Sequence, residues 1–182
     1  METARRTSNI GLTYGLITGL IICLITLVQY LGGLKAYLSP LGFLSYALMI
    51  VIAVLAGNKQ KKLNGGYLEF SEALKVTFSV FASALLLQTL FTYVLLNFID
   101  PSFKEAVGQE VMNKSEEMMR RFGASDSQID EALENQLSTD QFTFSKMILG
   151  YALWCIVWFI VSLIISAIIK KSKPAFPTTN PE

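Results

Sequence analysis

Histidine is missing altogether from the 182 residues, which removes the commonest metal ligand and the commonest general base together. Charge is scarce as well: Asp, Glu, Lys and Arg make up 16% of the chain, against roughly a quarter of an average soluble domain. Cysteine occurs only at Cys23 and Cys155, each inside an apolar run, so both read as small packing residues rather than a disulfide framework. Neither an HExxH nor a GxSxG motif is present. These gaps take away the usual equipment of metal and acid–base catalysis. The chain is therefore not expected to be an enzyme, and no cofactor or metal is expected.

What the chain has instead is apolar length. Apolar residues make up 52% of it, and the mean hydropathy of +0.47 is that of a membrane protein. Residues 7–34, 36–58, 76–99 and 147–169 carry no charge, and each run is long enough to cross about 30 Å of hydrocarbon as a helix. The spans are placed near 10–31, 39–57, 72–99 and 146–169, within one membrane domain. Ser39 and Pro40 are expected to start the second, and Ser71 with Glu72 the third. Residues 174–182, with three prolines, read as a disordered tail.

Orientation follows from charge. The N-terminus, the lysine-rich 59–75 segment and the C-terminus hold nine basic and four acidic residues, whereas Lys35 and the 100–146 segment together hold six and ten. Basic loops stay on the cytoplasmic side. The expected layout is thus multi-pass in the cell inner membrane with both termini cytoplasmic.

Between the third and fourth spans the period changes. Asp100 and Pro101 are a cap and a first-turn proline, and Phe103, Val107, Val111, Met118 and Phe122 share one side of the helix that follows. Glu110 with Lys114, Glu116 with Arg120 and Glu117 with Arg121 are i,i+4 pairs. Gly123 stops this helix, and Ser125 with Gln128 forms a capping box for a second one, whose Ile129, Ala132, Leu133, Gln136 and Leu137 share a face. Ser138 with Gln141 is a further capping box ahead of the fourth span. The fold class is accordingly all-α: four transmembrane helices with an extracytoplasmic amphipathic helical hairpin over 101–137.

Two short pieces resemble the domain-of-unknown-function family DUF4199, a group of bacterial four-span membrane proteins. They are Gly65-Gly66-Tyr67-Leu68-Glu69-Phe70-Ser71-Glu72-Ala73-Leu74-Lys75 and Asp100-Pro101-Ser102-Phe103. The resemblance implies an inner-membrane protein and transfers no catalytic residue.

Within the spans, Gly11, Gly15, Gly19 and Cys23 recur every four residues, a row of small side chains that lets another backbone come close, either in the same chain or in a second copy. Gln88 lies near mid-span and is expected to hydrogen-bond a neighbouring helix. Trp154 and Trp158 stand one turn apart, the second too deep for an interfacial belt, with helix packing favoured over a lipid or quinone contact. The span cores lack Asp, Glu, Lys and Arg, which disfavours proton relays and charge-coupled transport. Asp126, Asp130 and Glu134 form an acidic row without the spacing of a calcium loop, and a solvated face is favoured there over a cation site. The expected role is a non-enzymatic packing or partner-binding component, acting through the glycine row or the Phe103 to Phe122 stripe. A small transporter or channel accessory protein is the alternative. The expected partners are the lipid bilayer and a second copy or another membrane protein, with no nucleic acid.

Overall fold

The computed structural model describes residues 2–40, 42–137 and 140–173; the C-terminal tail, the Ser138 half of the last capping box and the side chains of residues 2–8, Gln136 and Leu137 lie outside what is described. Seven α-helices run through these residues: α1 (Glu2–Leu31), the single turn α2 (Leu34–Tyr37), α3 (Gly42–Leu63), α4 (Phe70–Val94), α5 (Pro101–Arg121), α6 (Asp126–Leu137) and α7 (Phe144–Ile169). A π-helical turn, Leu95–Ile99, prolongs α4. Four of the helical stretches are long and apolar enough to cross a membrane: Asn9–Leu31, Leu34–Leu63, Phe70–Ile99 and Phe144–Ile169.

Helix α4 is the hub, packing on α1, α3 and α7. Its buried residues Ala73, Val76, Thr77, Val80, Phe81, Ala84 and Leu85 recur at i, i+3, i+4 spacing, so they form one broad face over about half of its circumference. Helices α1 and α4 run parallel and almost touch backbone to backbone. A Cβ added at Gly11 would stand 2.8 Å from the Val76 carbonyl oxygen, and one at Gly15 would stand 2.7 Å from that of Val80 and collide with Ser83 Oγ. At Gly19 the neighbours are Leu87 and Ala84, and Cys23 Sγ lies 3.9 Å from the Leu87 carbonyl. The small-residue row is thus filled by α4 of the same chain. Beside it, the i,i+4 row Leu12, Leu16, Leu20 and Leu24 is exposed, as side chains facing lipid should be.

On the opposite side of α4, α7 packs antiparallel through aromatic and hydroxyl contacts. Trp158 is 4% exposed and stacks on Phe81 with centroids 4.6 Å apart, while Phe159 meets the edge of Phe78 at 5.4 Å. Thr77 and Ser166 share a buried hydrogen bond of 3.1 Å, and the Tyr151 hydroxyl donates to the Ala82 carbonyl. Helix α3 closes the bundle, with Tyr46 against Trp154 and Trp158 and with Gly57 against Ile169. Trp158 is therefore a packing residue.

The helix ends differ from expectation in three places. Ser39 does not cap the second span, because its hydroxyl donates back to the Ala36 carbonyl at 2.7 Å and helix α3 begins only at Gly42. That helix also continues past the hydrocarbon into the lysines, since charge ends a span but not a ladder of backbone hydrogen bonds. It stops where Gly65 and Gly66 take φ of 69° and 88°, with Gly66 N–H donating to Lys61 O and Gly65 N–H to Lys62 O. Ser71 is likewise not a cap, because α4 starts one residue earlier, after the extended Glu69. Leu68 pairs with Lys171 in an antiparallel bridge, two N–H to O bonds of 2.8 Å, and this holds the chain extended up to the helix start.

Replacing Gly15 by Leu should lower the thermal aggregation temperature of the detergent-solubilised protein by several degrees, since backbone atoms of α4 cannot move aside for a side chain. Leu16→Ala and Leu20→Ala, on the lipid side, should shift it little. Equal shifts at all three positions would remove the α1–α4 contact as the source of stability.

Candidate functional site

The bundle has two ends of opposite character, and each is built around one of the two short pieces singled out in the sequence. At the hairpin end, Asp100 caps α5 by accepting the Phe103 N–H at 2.9 Å, with Pro101 in the first turn. Its second carboxylate oxygen accepts from the Tyr30 hydroxyl at 3.0 Å. Phe103 sits between Tyr30 and Tyr37, edge-on to both at 4.9 and 5.2 Å. Cap and aromatic clamp together fix the direction in which α5 leaves the bundle.

The π-helical turn adds a second tie. Asn97 turns its side-chain amide back to the Tyr93 carbonyl and across to that of Phe142, at 3.1 and 3.0 Å. Lys104 then joins Asn97 Oδ1 to Asp140 Oδ2, the latter at 2.9 Å. The hydrogen bond from Lys104 and the Phe142 N–H hold the Asp140 carboxyl below the ordinary carboxylate range. Between α5 and residues 140–142 lies a groove of about 660 Å³, walled by Val107, Val111, Met112 and Phe142.

The Phe103 to Phe122 stripe is divided between the protein and the surface. Phe103 and Val107 are packed against the protein, Val107 being only 3% exposed, whereas Val111, Met118 and Phe122 are 41%, 56% and 85% exposed. Met112 and Met119 are the half-buried residues instead. The reason is the turn: Gly123, at φ 80°, donates to Arg120 O while Ala124 N–H donates to Met119 O, a Schellman arrangement that folds the chain back over Met119. Helix α6, capped by the reciprocal Ser125 and Gln128 bonds, brings Ile129 into full burial. Arg120 bonds both Glu116 and Asp126, so the first member of the acidic row is already engaged.

Gln88 is half-buried and, among the described residues, its amide has no hydrogen-bond partner. It lines a cavity of about 230 Å³ with Tyr46, Thr92, Tyr151 and Trp154. The expected bond to a neighbouring helix is not made, because the aromatic side chains of α3 and α7 hold those backbones away at this level. Trp158 is also left with a buried indole N–H that has no acceptor among the described residues.

At the lysine end the C-terminal end of α7 is fastened to the α3–α4 loop. Besides the Leu68–Lys171 bridge, Lys61 donates to the Ile169 carbonyl at 2.9 Å, Lys170 lies over Phe70 and Lys171 over Tyr67. Beside this clasp a pocket of about 490 Å³ opens between the ends of α3 and α4. The sequence reading did not mark it, since how the 60–72 stretch folds back on itself beside Lys173 is not a local pattern, and only the glycine pair at 65 and 66 hinted at a special turn.

Such an arrangement defines the class: an all-helical membrane protein with four helices long and apolar enough to span a bilayer. Residues 13–171 match the model of the family described as a protein of unknown function (DUF4199), and the chain belongs to that family. No curated protein and no solved structure matches it.

Two outcomes test the hairpin geometry. Ile129→Asp or Met112→Asp should expose the 100–146 segment to protease in intact membranes, because burying one such side chain is worth roughly 1.5 to 3 kcal/mol, while Phe122→Asp should leave it protected. Protection retained in both inward variants would mean the hairpin faces are drawn wrongly. The Asp140 tie has a depressed carboxyl, so its contribution is present above the ordinary value of 3.8 and is lost as pH falls through the lower value of the folded protein. Exchange of the Phe142 amide, corrected for intrinsic rates, should accelerate below pH 3.8, and Asp140→Ala should remove that dependence.

Proposed function

We propose that the protein is a non-enzymatic component of the inner membrane that uses its helical hairpin to hold a partner protein on the extracytoplasmic side. One observation carries this reading: Phe122, Met118 and Val111 stand exposed on a rigidly capped helix, whereas the glycine row, the other surface offered by the sequence, is consumed inside the chain. An apolar patch on a soluble element marks an interaction site. The segment around it has an excess of acidic residues, so the fitting partner has an apolar centre and a basic rim.

Orientation is part of the proposal. The excess of lysine and arginine at the end opposite the hairpin supports cytoplasmic termini and an external hairpin. The transporter alternative draws on the Gln88 cavity, but about 230 Å³ without a charged residue in the span cores offers little to a coupled solute path.

Reporter fusions test the orientation: one after Glu182 or near Gln60 should read as cytoplasmic, and one near Gly123 as external. A cytoplasmic signal at Gly123 would overturn it. A photo-crosslinker at Met118 should then capture one protein in native membranes, and Phe122→Asp should abolish the capture without altering the protease pattern of the hairpin. Capture of lipid alone, or capture unaffected by Phe122→Asp, would remove the docking role.

A further inference from the structure

The Gln88 cavity carries a binding assignment that is independent of the hairpin. It lies between α3, α4 and α7 in the half of the bundle nearer the hairpin, with Gln88 roughly 16 Å along α4 from Ile99 at about 1.5 Å per residue. At that depth hydrocarbon offers a polar group no partner. Two of the polar residues in its wall are engaged, the Tyr151 hydroxyl on the Ala82 carbonyl and Thr92 on the side chain of Tyr37. The Gln88 amide and the Tyr46 and Thr89 hydroxyls are not: among the described residues none of the three makes a hydrogen bond. All three residues are half-buried rather than sealed, unlike the Trp158 indole, so a ligand in the cavity can reach them. An unbonded amide in an apolar medium is costly, and a partner from the lipid phase would remove that cost.

Gly150 points to the same space. Glycine in a membrane helix ordinarily marks the close approach of another backbone, as Gly11 and Gly15 do on α1. At Gly150 a Cβ would meet nothing within 4 Å, yet the residue lines the cavity. What this glycine keeps open is the cavity itself. Trp154, one turn further along α7, lines the cavity and is 47% exposed, and Leu153 beside it is 57% exposed. The cavity therefore opens sideways toward the acyl chains.

These walls set the chemistry of the occupant. It is neutral, because among the described residues no charged side chain lines the cavity, so a phospholipid phosphate would find no cation there. It is flat, because the space lies against the rings of Tyr46 and Trp154. It carries acceptors, because the free groups are an amide N–H pair and two hydroxyls. We infer that this cavity binds the head ring of an isoprenoid quinone, its carbonyls accepting from the Gln88 amide and a neighbouring hydroxyl, its ring over Gly150 and its tail leaving past Trp154 into the bilayer. About 230 Å³ is below the usual size of a site for a drug-like ligand and suits a single substituted ring.

The two tryptophans of the chain give the readout, since a quinone ring quenches indole fluorescence at short range and Trp154 stands in the wall. The full chain in phosphatidylcholine nanodiscs is titrated with decylubiquinone. Wild-type emission should fall along a saturable curve over the linear background of quinone dissolved in the bilayer. Gly150→Leu should remove the saturable part by filling the space. Gln88→Leu should raise its midpoint roughly three- to tenfold, the worth of one hydrogen bond. Ile164→Leu, on the lipid side of α7, should leave the curve unchanged. Dodecylbenzene, which has a ring and a tail but no carbonyl, should not compete. The thermal midpoint of each variant in ligand-free nanodiscs checks that it is folded, and the wild-type curve with its competitor needs no variant at all. A purely linear wild-type quench would overturn the assignment, as would a saturable part that survives unchanged in either Gly150→Leu or Gln88→Leu. Competition by dodecylbenzene as strong as that of the quinone would make the site an acyl-chain groove and overturn the quinone head as its ligand.

Discussion

The close approach of α1 to α4 is the constraint on which the rest depends. In hydrocarbon no hydrophobic force draws helices together, so association relies on packing at short range, and short range needs small residues. Gly11 and Gly15 leave room for the carbonyl oxygens of Val76 and Val80, where a Cβ would stand under 3.0 Å from backbone, and Gly19 lies tightly against Ala84 and Leu87. Once α1 is seated there, α4 has only its remaining faces for α3 and α7. Those faces are filled by larger groups: Phe81 under Trp158, Phe78 beside Phe159, and the Thr77–Ser166 pair. A bundle of this order spends its smallest surface internally and turns the leucines of α1 outward.

From that core the two ends acquire their shapes. Asp100 reaches Tyr30 only because α1 and α4 run parallel and end at the same level, and Phe103 enters the aromatic clamp for the same reason. Leu68 meets Lys171 because α7 ends beside the start of α4. The two family-bearing segments are thus joints. Each ties a loop to the terminus of a distant helix, and each leaves a concave, partly polar surface next to the joint. The docking proposed at the hairpin end would then be a property of elements held by a rigid frame rather than of the spans themselves.

Much of this was legible in the chain. The four spans follow from charge-free length, the glycine row from its four-residue repeat, and the caps at Asp100 and Ser125 from local hydrogen-bond chemistry, all of which act within a few residues. Helix ends were less legible where a distant segment intervenes. Glu69 precedes α4 because Leu68 is held by Lys171, a residue about a hundred positions away that no local pattern contains.

Faces and pockets were decided by the tertiary structure alone. Which part of the α5 stripe faces outward was not in its spacing, because the Gly123 turn sets which side α6 covers, with Ile129 buried and Phe122 in the open. Gln88 was marked by its polarity, yet whether it finds a partner depends on how far Tyr46, Tyr151 and Trp154 prop the neighbouring helices apart. Gln60 carried no signal at all, since an amide near a lysine run is ordinary in sequence and becomes notable only when packing seals it. By itself the sequence determined which segments enter the membrane and where helices are capped, because those depend on transfer energy and nearest-neighbour bonds. Which polar groups are left unpaired, and toward what, was settled by long-range packing, because satisfaction is a property of the whole set of neighbours.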